Sequence, residues 1–218
     1  MTADGSGEVS EPVHRPLPAP AGGLPVEGLP NWQLARRERI VQGALKALQE
    51  QEYERIQIRD VAASAGVALG TLYRYFSSKE HLYAAVLREW AAFGRPGPAR
   101  PKAAPPERVR RRVHLVIRAL QREPQFFKVY VLLQASADPN ARELLVQFAR
   151  TAQESLAGEF DRLEPGEAQD ISIMLWSIIN SMVTQVVYQG GAMGDVHRVV
   201  DRFLDLLAPR LLPEESTM

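Results

Sequence analysis

The chain has 218 residues, of which 45% are hydrophobic and 24% are charged, and its formal net charge at pH 7 is zero. This is the composition of a folded globular protein, and the length allows two modules on one chain. Because the chain has no cysteine, a disulfide framework, a thiolate metal site and a cysteine nucleophile are excluded. The balanced charge excludes a protein that coats nucleic acid through bulk electrostatics, so any contact with DNA has to use a local patch.

The beginning of the chain is rich in proline, glycine and alanine and has no hydrophobic period around which a structure could form. We predict that residues 1–31 are a disordered tail. The tail lacks both the basic start and the long apolar stretch of a secretory signal, which favours a cytoplasmic protein.

Residues 34–94 carry apolar side chains at helical spacing and predict a domain of three to four helices. The first helix begins near Trp32, a short second helix ends before Gly66, a third runs through Phe76, and a serine pair precedes the fourth. The buried faces predicted for the first two helices consist of Leu34, Ile40, Val41, Ala44, Leu45 and Leu48, and of Ile58, Val61, Ala62 and Ala65.

A proline-rich stretch over residues 95–106 predicts a linker, because proline removes a backbone donor and clashes with the preceding helical turn. Beyond it, residues 107–212 predict a second, larger helical domain. Its helices are expected at about 107–121, 124–135, 138 onward, 167–188 and 196–212. No segment alternates with a period of two over a useful length, so the predicted fold class is all-α.

The segment between Asp170 and Asp195 contains no charged residue and is long enough for a membrane span. It nevertheless carries many serine, threonine, asparagine and glutamine side chains, which are too polar for lipid, so we predict no membrane span. A helix that is apolar on nearly all sides has to be covered by protein. A second copy of the chain is the simplest cover, and we therefore predict a homodimer.

Residues 57–76 have the physical features of a helix-turn-helix. Ala62 allows the second helix to approach the third, Gly66 gives the turn its backbone freedom, and Val67 fills the space beneath the turn. Leu72 and Phe76 anchor the third helix to the core. The predicted open face, which can reach base edges and phosphates from a major groove, carries Thr71, Tyr73, Arg74 and Tyr75, with Lys79 just beyond.

This segment resembles the TetR family of regulators, whose signature is matched by Arg59-Asp-Val-Ala62, Ala65-Gly-Val67 and Gly70-Thr-Leu-Tyr-Arg-Tyr-Phe-Ser-Ser-Lys79. The resemblance covers residues 34–94 closely and the rest of the chain only in helical layout. It implies a homodimer whose two recognition helices enter successive major grooves of a palindromic DNA operator, usually as a repressor. By match to the signature it also implies DNA contacts for Arg59, Thr71, Tyr73, Tyr75 and Lys79. Arg74 is our addition, since arginine at this position can bind guanine bidentately.

The same resemblance implies that the C-terminal domain holds a pocket for a small-molecule effector and the dimer interface. The pocket is expected within about 107–160 and the interface in 167–188 and 196–212. Candidates for the pocket combine an apolar body with a polar tip, although core packing is the simpler interpretation of each: His114, Phe127, Tyr130, Gln134 and Trp176. No cluster of like charges is available, so an apolar or amphipathic effector is expected.

A second resemblance concerns residues 121–128 and 133–138 together with the helix at 70–76. These segments are similar to the branch of the family that controls steroid and lipid breakdown. This resemblance implies a sterol-derived or acyl-thioester effector. Release from DNA would follow if the effector prefers a conformation whose two recognition helices are spaced wrongly for the operator.

Several alternatives to a repressor stay open on the sequence alone. A helical hairpin with glycine at its turn also occurs in purely structural bundles, and Arg55, Arg59 and the Arg108–Arg112 run can be solvated surface charge. An activator of the same fold and a helical protein-interaction module are the functional alternatives. An enzyme is not expected, because the four histidines are scattered and the sequence has neither a phosphate-binding loop nor a nucleophile elbow. We therefore predict no catalytic residue, no metal and no cofactor.

Overall fold

The computed structural model describes residues 28–93 and 105–212. These residues form nine α-helices, a 3-10 turn at Tyr53–Arg55 and no strand, which confirms the predicted all-α fold class. The helices are α1 (Asn31–Glu50), α2 (Ile58–Ser64), α3 (Leu69–Tyr75), α4 (Lys79–Phe93), α5 (Pro105–Arg122), α6 (Pro124–Leu133), α7 (Pro139–Ala157), α8 (Pro165–Gln189) and α9 (Met193–Leu211). Most of the predicted tail and linker, residues 1–27 and 94–104, lies outside the described residues.

Two helix boundaries differ from the sequence prediction at prolines. α5 begins at Pro105 and so includes the last two residues of the predicted linker. α8 begins at Pro165, two residues before the predicted start at about 167. Both differences have the same cause: proline is tolerated in the first turn of a helix, where its missing amide would have had no partner within the helix. At the other end of the chain, α1 begins at Asn31, the last residue assigned to the tail.

The first four helices form a small N-terminal unit that we call the head (α1–α4). Its core contains fully buried side chains from three of these helices and the loop after α3, among them Ile40, Leu72, Phe76 and Leu82. The same apolar cluster continues into Phe126 and other side chains of α6 and α7. The head therefore packs directly on the remainder of the protein, which we call the body (α5–α9).

The body has an apolar core of its own. This second cluster is built from α5, α8 and α9, with Ile117, Leu175 and Val200 all buried completely. Trp90 of α4 and Tyr130 of α6 pack against both clusters. These two aromatic side chains therefore join the core of the head to the core of the body.

A group of polar side chains forms a second connection between head and body, which we call the joint (Ser77, His81, Asp138 and Asn140). Asp138 caps α7 by accepting hydrogen bonds from the backbone amides of Asn140 at 2.8 Å and Ala141 at 3.3 Å. The Ser77 hydroxyl donates to Asp138 Oδ2 at 2.7 Å and accepts from Asn140 Nδ2 at 3.0 Å. The Ser77 amide donates to His81 Nδ1 at 3.2 Å. Because Ser77 comes two residues after α3, the joint ties the start of α7 to the end of α3.

Candidate nucleic-acid interface and ligand cavity

The turn between α2 and α3 has the geometry that the sequence predicts. Gly66 has a φ of +67°, a left-handed conformation that side chains other than glycine rarely adopt. The amide of Val67 donates to the carbonyl of Ala62 at 3.0 Å and closes the turn. Ala62, Leu72 and Phe76 are buried, with at most 2% of each side chain exposed. The hairpin is therefore fixed rigidly on the core of the head.

The surface of this hairpin carries four of the six predicted DNA-contacting residues. Arg59 and Arg74 are exposed, and Thr71 and Tyr73 are half-buried. The Arg59 side chain is 77% exposed and lies 3.6 Å from the carboxylate of Asp60. Guanidinium, hydroxyl and phenol groups on one outward surface can donate hydrogen bonds both to phosphates and to base edges.

Tyr75 does not lie on this open surface, which corrects the sequence prediction. Its side chain is only 3% exposed and belongs to the core cluster of the head. The physical reason is helical spacing: Tyr75 follows Leu72 by three residues, so both side chains fall on the buried face of α3.

Lys79 makes contacts within the head that the sequence does not predict. Its amine donates to the backbone carbonyls of Tyr53 at 2.5 Å and Ile56 at 2.9 Å, and it lies 4.2 Å from the centre of the Tyr53 ring. Burial lowers the pKa of this amine, although Glu54 and Glu80 oppose the shift. The half-buried side chain thus binds the start of α4 to the 3-10 turn.

Arg37 contributes a further charge to the interior of the head, which the sequence prediction missed. The residue is 9% exposed, and its guanidinium lies 4.9 Å from the centre of the Phe76 ring. Burial lowers its pKa to about 10, with Arg88 acting in the same direction. The stacking covers the side chain that ends the hairpin and helps to hold α1 against it.

A cavity of about 990 Å³ lies between head and body. Three of the five predicted pocket residues, Phe127, Tyr130 and Trp176, line it. Its apolar wall also includes Val113 and Val116 of α5. Helices α5, α6 and α7, within the range expected for the pocket, form part of the wall, and α1, α4 and α8 form the rest.

The other two predicted pocket residues do not line this cavity. Gln134 is exposed just after the end of α6. His114 faces α9, where its Nε2 lies 2.7 Å from Asp201 Oδ1 and its Nδ1 lies 2.6 Å from His197 Nδ1. The Asp201 carboxylate also accepts from Arg110 at 2.5 Å. The role of His114 is thus to fasten α5 to α9.

The cavity reaches into the head as well as the body. α1 contributes Gln49 to its wall, and α4 contributes Trp90. Both side chains donate to the carboxylate of Glu123 at the end of α5, Gln49 at 3.3 Å and Trp90 by a short contact. A molecule in the cavity would therefore touch groups that connect the two parts of the protein.

The residues that the structure describes contain no group of three or more histidine, aspartate or glutamate side chains positioned to hold a metal ion. One helix in the described ranges, α8, is long and apolar enough to cross a membrane by length and composition, with a mean hydropathy of 1.4 over 18 residues. Core helices of soluble proteins satisfy the same criterion. α8 packs against α7 and α9 and buries Ile171, Leu175 and Ile179.

Comparison with known proteins points to one family. The family model for bacterial regulatory proteins, tetR family, matches residues 40–86, which include the hairpin. The HTH-type transcriptional repressor KstR of Rhodococcus jostii is 35% identical over 140 residues, covering 64% of this chain and 66% of that protein. KstR of Mycolicibacterium smegmatis is 34% identical over 143 residues, covering 63% of this chain and 69% of that protein. The chain thus spans about two thirds of the length of the curated relatives that it matches.

Solved structures agree with these relatives. A TetR transcriptional regulator from Rhodococcus has a TM-score of 0.65 at 26% identity, covering 81% of this chain and 96% of that one. FadR of Bacillus subtilis in complex with stearoyl-CoA has the same fold, with a TM-score of 0.57 at 19% identity and coverage of 80% and 99%. A head with a helix-turn-helix on an all-helical body defines a regulator of the helix-turn-helix class. The chain belongs to the TetR family of bacterial regulatory proteins, and its relatives are named as regulators, in agreement with the expectation that it is not an enzyme.

Proposed function

We propose that the protein is a homodimeric, DNA-binding transcriptional repressor that a small apolar or amphipathic effector releases from a palindromic operator. The observation that carries this proposal is the hairpin of α2 and α3, rigidly packed and with exposed arginines, in the residues that match the family. The repressors among the relatives support repression over activation. Such a protein works in the cytoplasm, where bacterial DNA lies.

The DNA-contacting surface consists of Arg59, Thr71, Tyr73 and Arg74. Arg74 is exposed in the last turn of α3 and is suited to bidentate contact with guanine. The phenol of Tyr73 and the hydroxyl of Thr71 suit phosphate contacts that fix the register of the helix on the duplex. Tyr75 and Lys79 act from within the head by holding α3 and α4 in position.

Dimerisation uses the outer faces of α8 and α9. Two large apolar side chains of α8, Ile173 and Met174, are 41% and 51% exposed, and Leu206 of α9 is 72% exposed. Exposed apolar groups on two adjacent helices suit a four-helix contact with a second copy. The second copy thus covers the apolar side of α8 that is exposed in a single chain.

The effector binds in the cavity between head and body. A volume of about 990 Å³ accommodates a large ligand, and most of the aromatic and aliphatic wall favours an apolar one. The resemblance of the sequence to the steroid and lipid branch supports a sterol-derived or acyl-thioester molecule. FadR, which shares the fold at 19% identity, binds an acyl thioester, stearoyl-CoA.

Release from DNA follows from the position of the cavity. Because α1 and α4 form part of its wall, an effector can favour one orientation of the head over another. An allosteric difference of about 1–3 kcal/mol changes DNA affinity by roughly 5- to 150-fold.

The first experiment is a fluorescence anisotropy titration of the protein against duplex DNA from the region upstream of its own gene. Arg74→Ala and Tyr73→Ala are compared with Arg111→Ala, an exposed arginine of α5 in the body. We expect Arg74→Ala to cost about 1–3 kcal/mol of binding free energy, and the control to bind like the unchanged protein.

The salt dependence of the same titration tests the alternative of a protein-interaction module. Phosphate contacts release counterions, so the logarithm of the DNA affinity should fall linearly with the logarithm of the salt concentration. Failure to find any bound duplex in a random-sequence selection, with the protein folded, would contradict the proposed function.

A further inference from the structure

One half-buried arginine of the cavity wall lacks the carboxylate partner that Arg108 and Arg110 on the same helix have. Arg108 lies 2.7 Å from Asp161, and Arg110 lies 2.5 Å from both Asp201 and Asp205. Arg112, which lies one helical turn beyond Arg108 in α5, forms no ion pair with any residue that the structure describes. Its guanidinium is half-buried in the wall and donates to the hydroxyl of Ser155 at 2.6 Å.

A polar row on α7 leads to this arginine. Gln147, Thr151 and Ser155 are spaced four residues apart, so they lie on one face of the helix, and all three line the cavity. The wall formed by α5, α6 and α8 includes the apolar side chains Val116, Phe127 and Ile179. The wall of the cavity is therefore mostly apolar, and the polar row on α7 leads along it to one cation, Arg112.

The remaining charges of the cavity lie toward the head. Glu123 is eleven residues beyond Arg112 on the same chain, about 16 Å at the rise of an α-helix. Its carboxylate already accepts from Trp90 and Gln49. Arg88 and Arg122 also line the cavity near this end but are exposed to solvent. Arg112 is thus the half-buried cation at the far end from the head.

We infer that the effector is an elongated amphiphile with a terminal carboxylate, and that the Arg112 guanidinium binds this carboxylate. The planar fork of a guanidinium matches a carboxylate with two parallel hydrogen bonds. A single half-buried cation balances a single negative charge. The Ser155 hydroxyl orients the guanidinium, and the row on α7 offers partners for polar groups along the same side of the molecule. This inference rests on the proposed function, because it assumes that the cavity is the effector site.

The test compares two probes with the same steroid body, lithocholate and its methyl ester, of which the first carries a negative carboxylate and the second a neutral ester. Binding is followed by tryptophan fluorescence, because Trp90 and Trp176 line the cavity, and is repeated by calorimetry. The unchanged protein should bind lithocholate about ten- to a hundredfold more tightly than the ester, the usual effect of a charge-assisted hydrogen bond. Arg112→Gln should remove this preference by weakening the binding of lithocholate.

Two further variants control for structural damage. Arg112→Lys keeps the charge and should retain part of the preference. Arg111→Gln changes the exposed neighbouring arginine and should retain all of it. Equal affinity for acid and ester in the unchanged protein, a preference that survives in Arg112→Gln, or no binding of either probe would overturn the inference.

The same samples separate this inference from the proposed function. DNA binding is measured in the absence of any probe with the duplex identified above. A protein that prefers the acid through Arg112 but binds no duplex supports the carboxylate site and contradicts the regulator. A protein that binds its duplex but does not distinguish acid from ester supports the regulator and contradicts the carboxylate site.

Discussion

Removal of the Asp138 carboxylate tests whether the joint couples the body to the head. Asp138→Ala abolishes the N-cap of α7, whose loss costs about 1 kcal/mol. It also abolishes the hydrogen bond from the Ser77 hydroxyl to an ionised acceptor, worth about 1.5–3 kcal/mol. Because Ser77 and Asp138 are half-buried, the lower end of that range applies. We expect a total loss of about 2–3 kcal/mol in the free energy of unfolding.

A double-mutant cycle with Ser77→Ala isolates the contact across the joint. Ser77→Ala removes the hydroxyl but leaves the cap of α7 in place. The sum of the stability losses in the two single variants should therefore exceed the stability loss in the double variant by about 1–2 kcal/mol. Urea unfolding at pH 7 and at one fixed protein concentration provides the measurement. Asp195→Ala serves as the control, because Asp195 lies in the first turn of α9 and pairs with Arg198 at 2.7 Å on the surface. Strictly additive losses would refute the coupling.

The pH dependence of Asp138→Ala gives an independent check. Burial raises the pKa of Asp138, but hydrogen bonds from Ser78, Ser77 and the amides of Ala141 and Asn140 outweigh burial and hold the pKa below its ordinary 3.8. A carboxyl whose pKa is depressed by folding adds stability above its ordinary pKa, and this stability is lost as the pH falls through the depressed value. The difference in the free energy of unfolding between the unchanged protein and Asp138→Ala should therefore become smaller in strong acid. DNA affinity should fall in the variant at neutral pH, because the joint holds the end of α3.

Three other expectations follow from the fold. Gly66→Ala should cost about 1–2 kcal/mol of unfolding free energy in urea, because the φ of +67° strains alanine although no heavy atom lies within 4 Å of the added carbon. Gly70→Ala is the control: this glycine lies in a helix and is equally open, so the change should not be destabilising. Equal losses at both positions would contradict the role of φ. Burial lowers the pKa of His81 from 6.5 to about 4, so the unfolded state binds a proton at higher pH than the folded state does. The free energy of unfolding should therefore fall as the pH is lowered from about 6.5 to about 4. His81→Gln should flatten this pH dependence, and an unchanged pH dependence would reject the assignment. Met174→Glu on α8 should shift light-scattering mass toward the monomer, whereas Val146→Glu, at a position 66% exposed on α7, should not; a dimer that tolerates the first change would exclude this interface.

The core of the hairpin could be predicted from the sequence because it depends on local rules. A glycine at a left-handed turn and apolar residues at helical spacing are visible without tertiary information. The same spacing could have corrected Tyr75, since Leu72, Tyr75 and Phe76 fall at intervals of three and four on one face. The family signature favoured an outward role for Tyr75, although the periodicity indicated burial.

Contacts between distant segments were beyond the sequence analysis. The amine of Lys79 binds carbonyls at residues 53 and 56, and nothing in the local pattern predicts the 3-10 turn that presents them. His114 was chosen for its mixed polarity, but its neighbour Val113 faces the core and the histidine itself faces α9. The row of polar residues on α7 was visible in the sequence at four-residue spacing. Its meaning depends on the cavity beside it, which only the packing of five other helices creates.

The shared wall of the cavity constrains how effector and DNA can influence each other. α1 and α4 contribute to both the cavity and the head. If the effector lowers the affinity of the protein for DNA by a given factor, DNA has to lower the affinity for the effector by the same factor. With an allosteric free energy of about 1–3 kcal/mol, saturating operator DNA should lower effector affinity by roughly 5- to 150-fold. Tryptophan fluorescence titrations with and without the duplex measure this factor, and an unrelated duplex of equal length is the control. An effector that displaces DNA but binds equally well with the operator present would show that it competes for the DNA surface itself, and the cavity would then have no part in release.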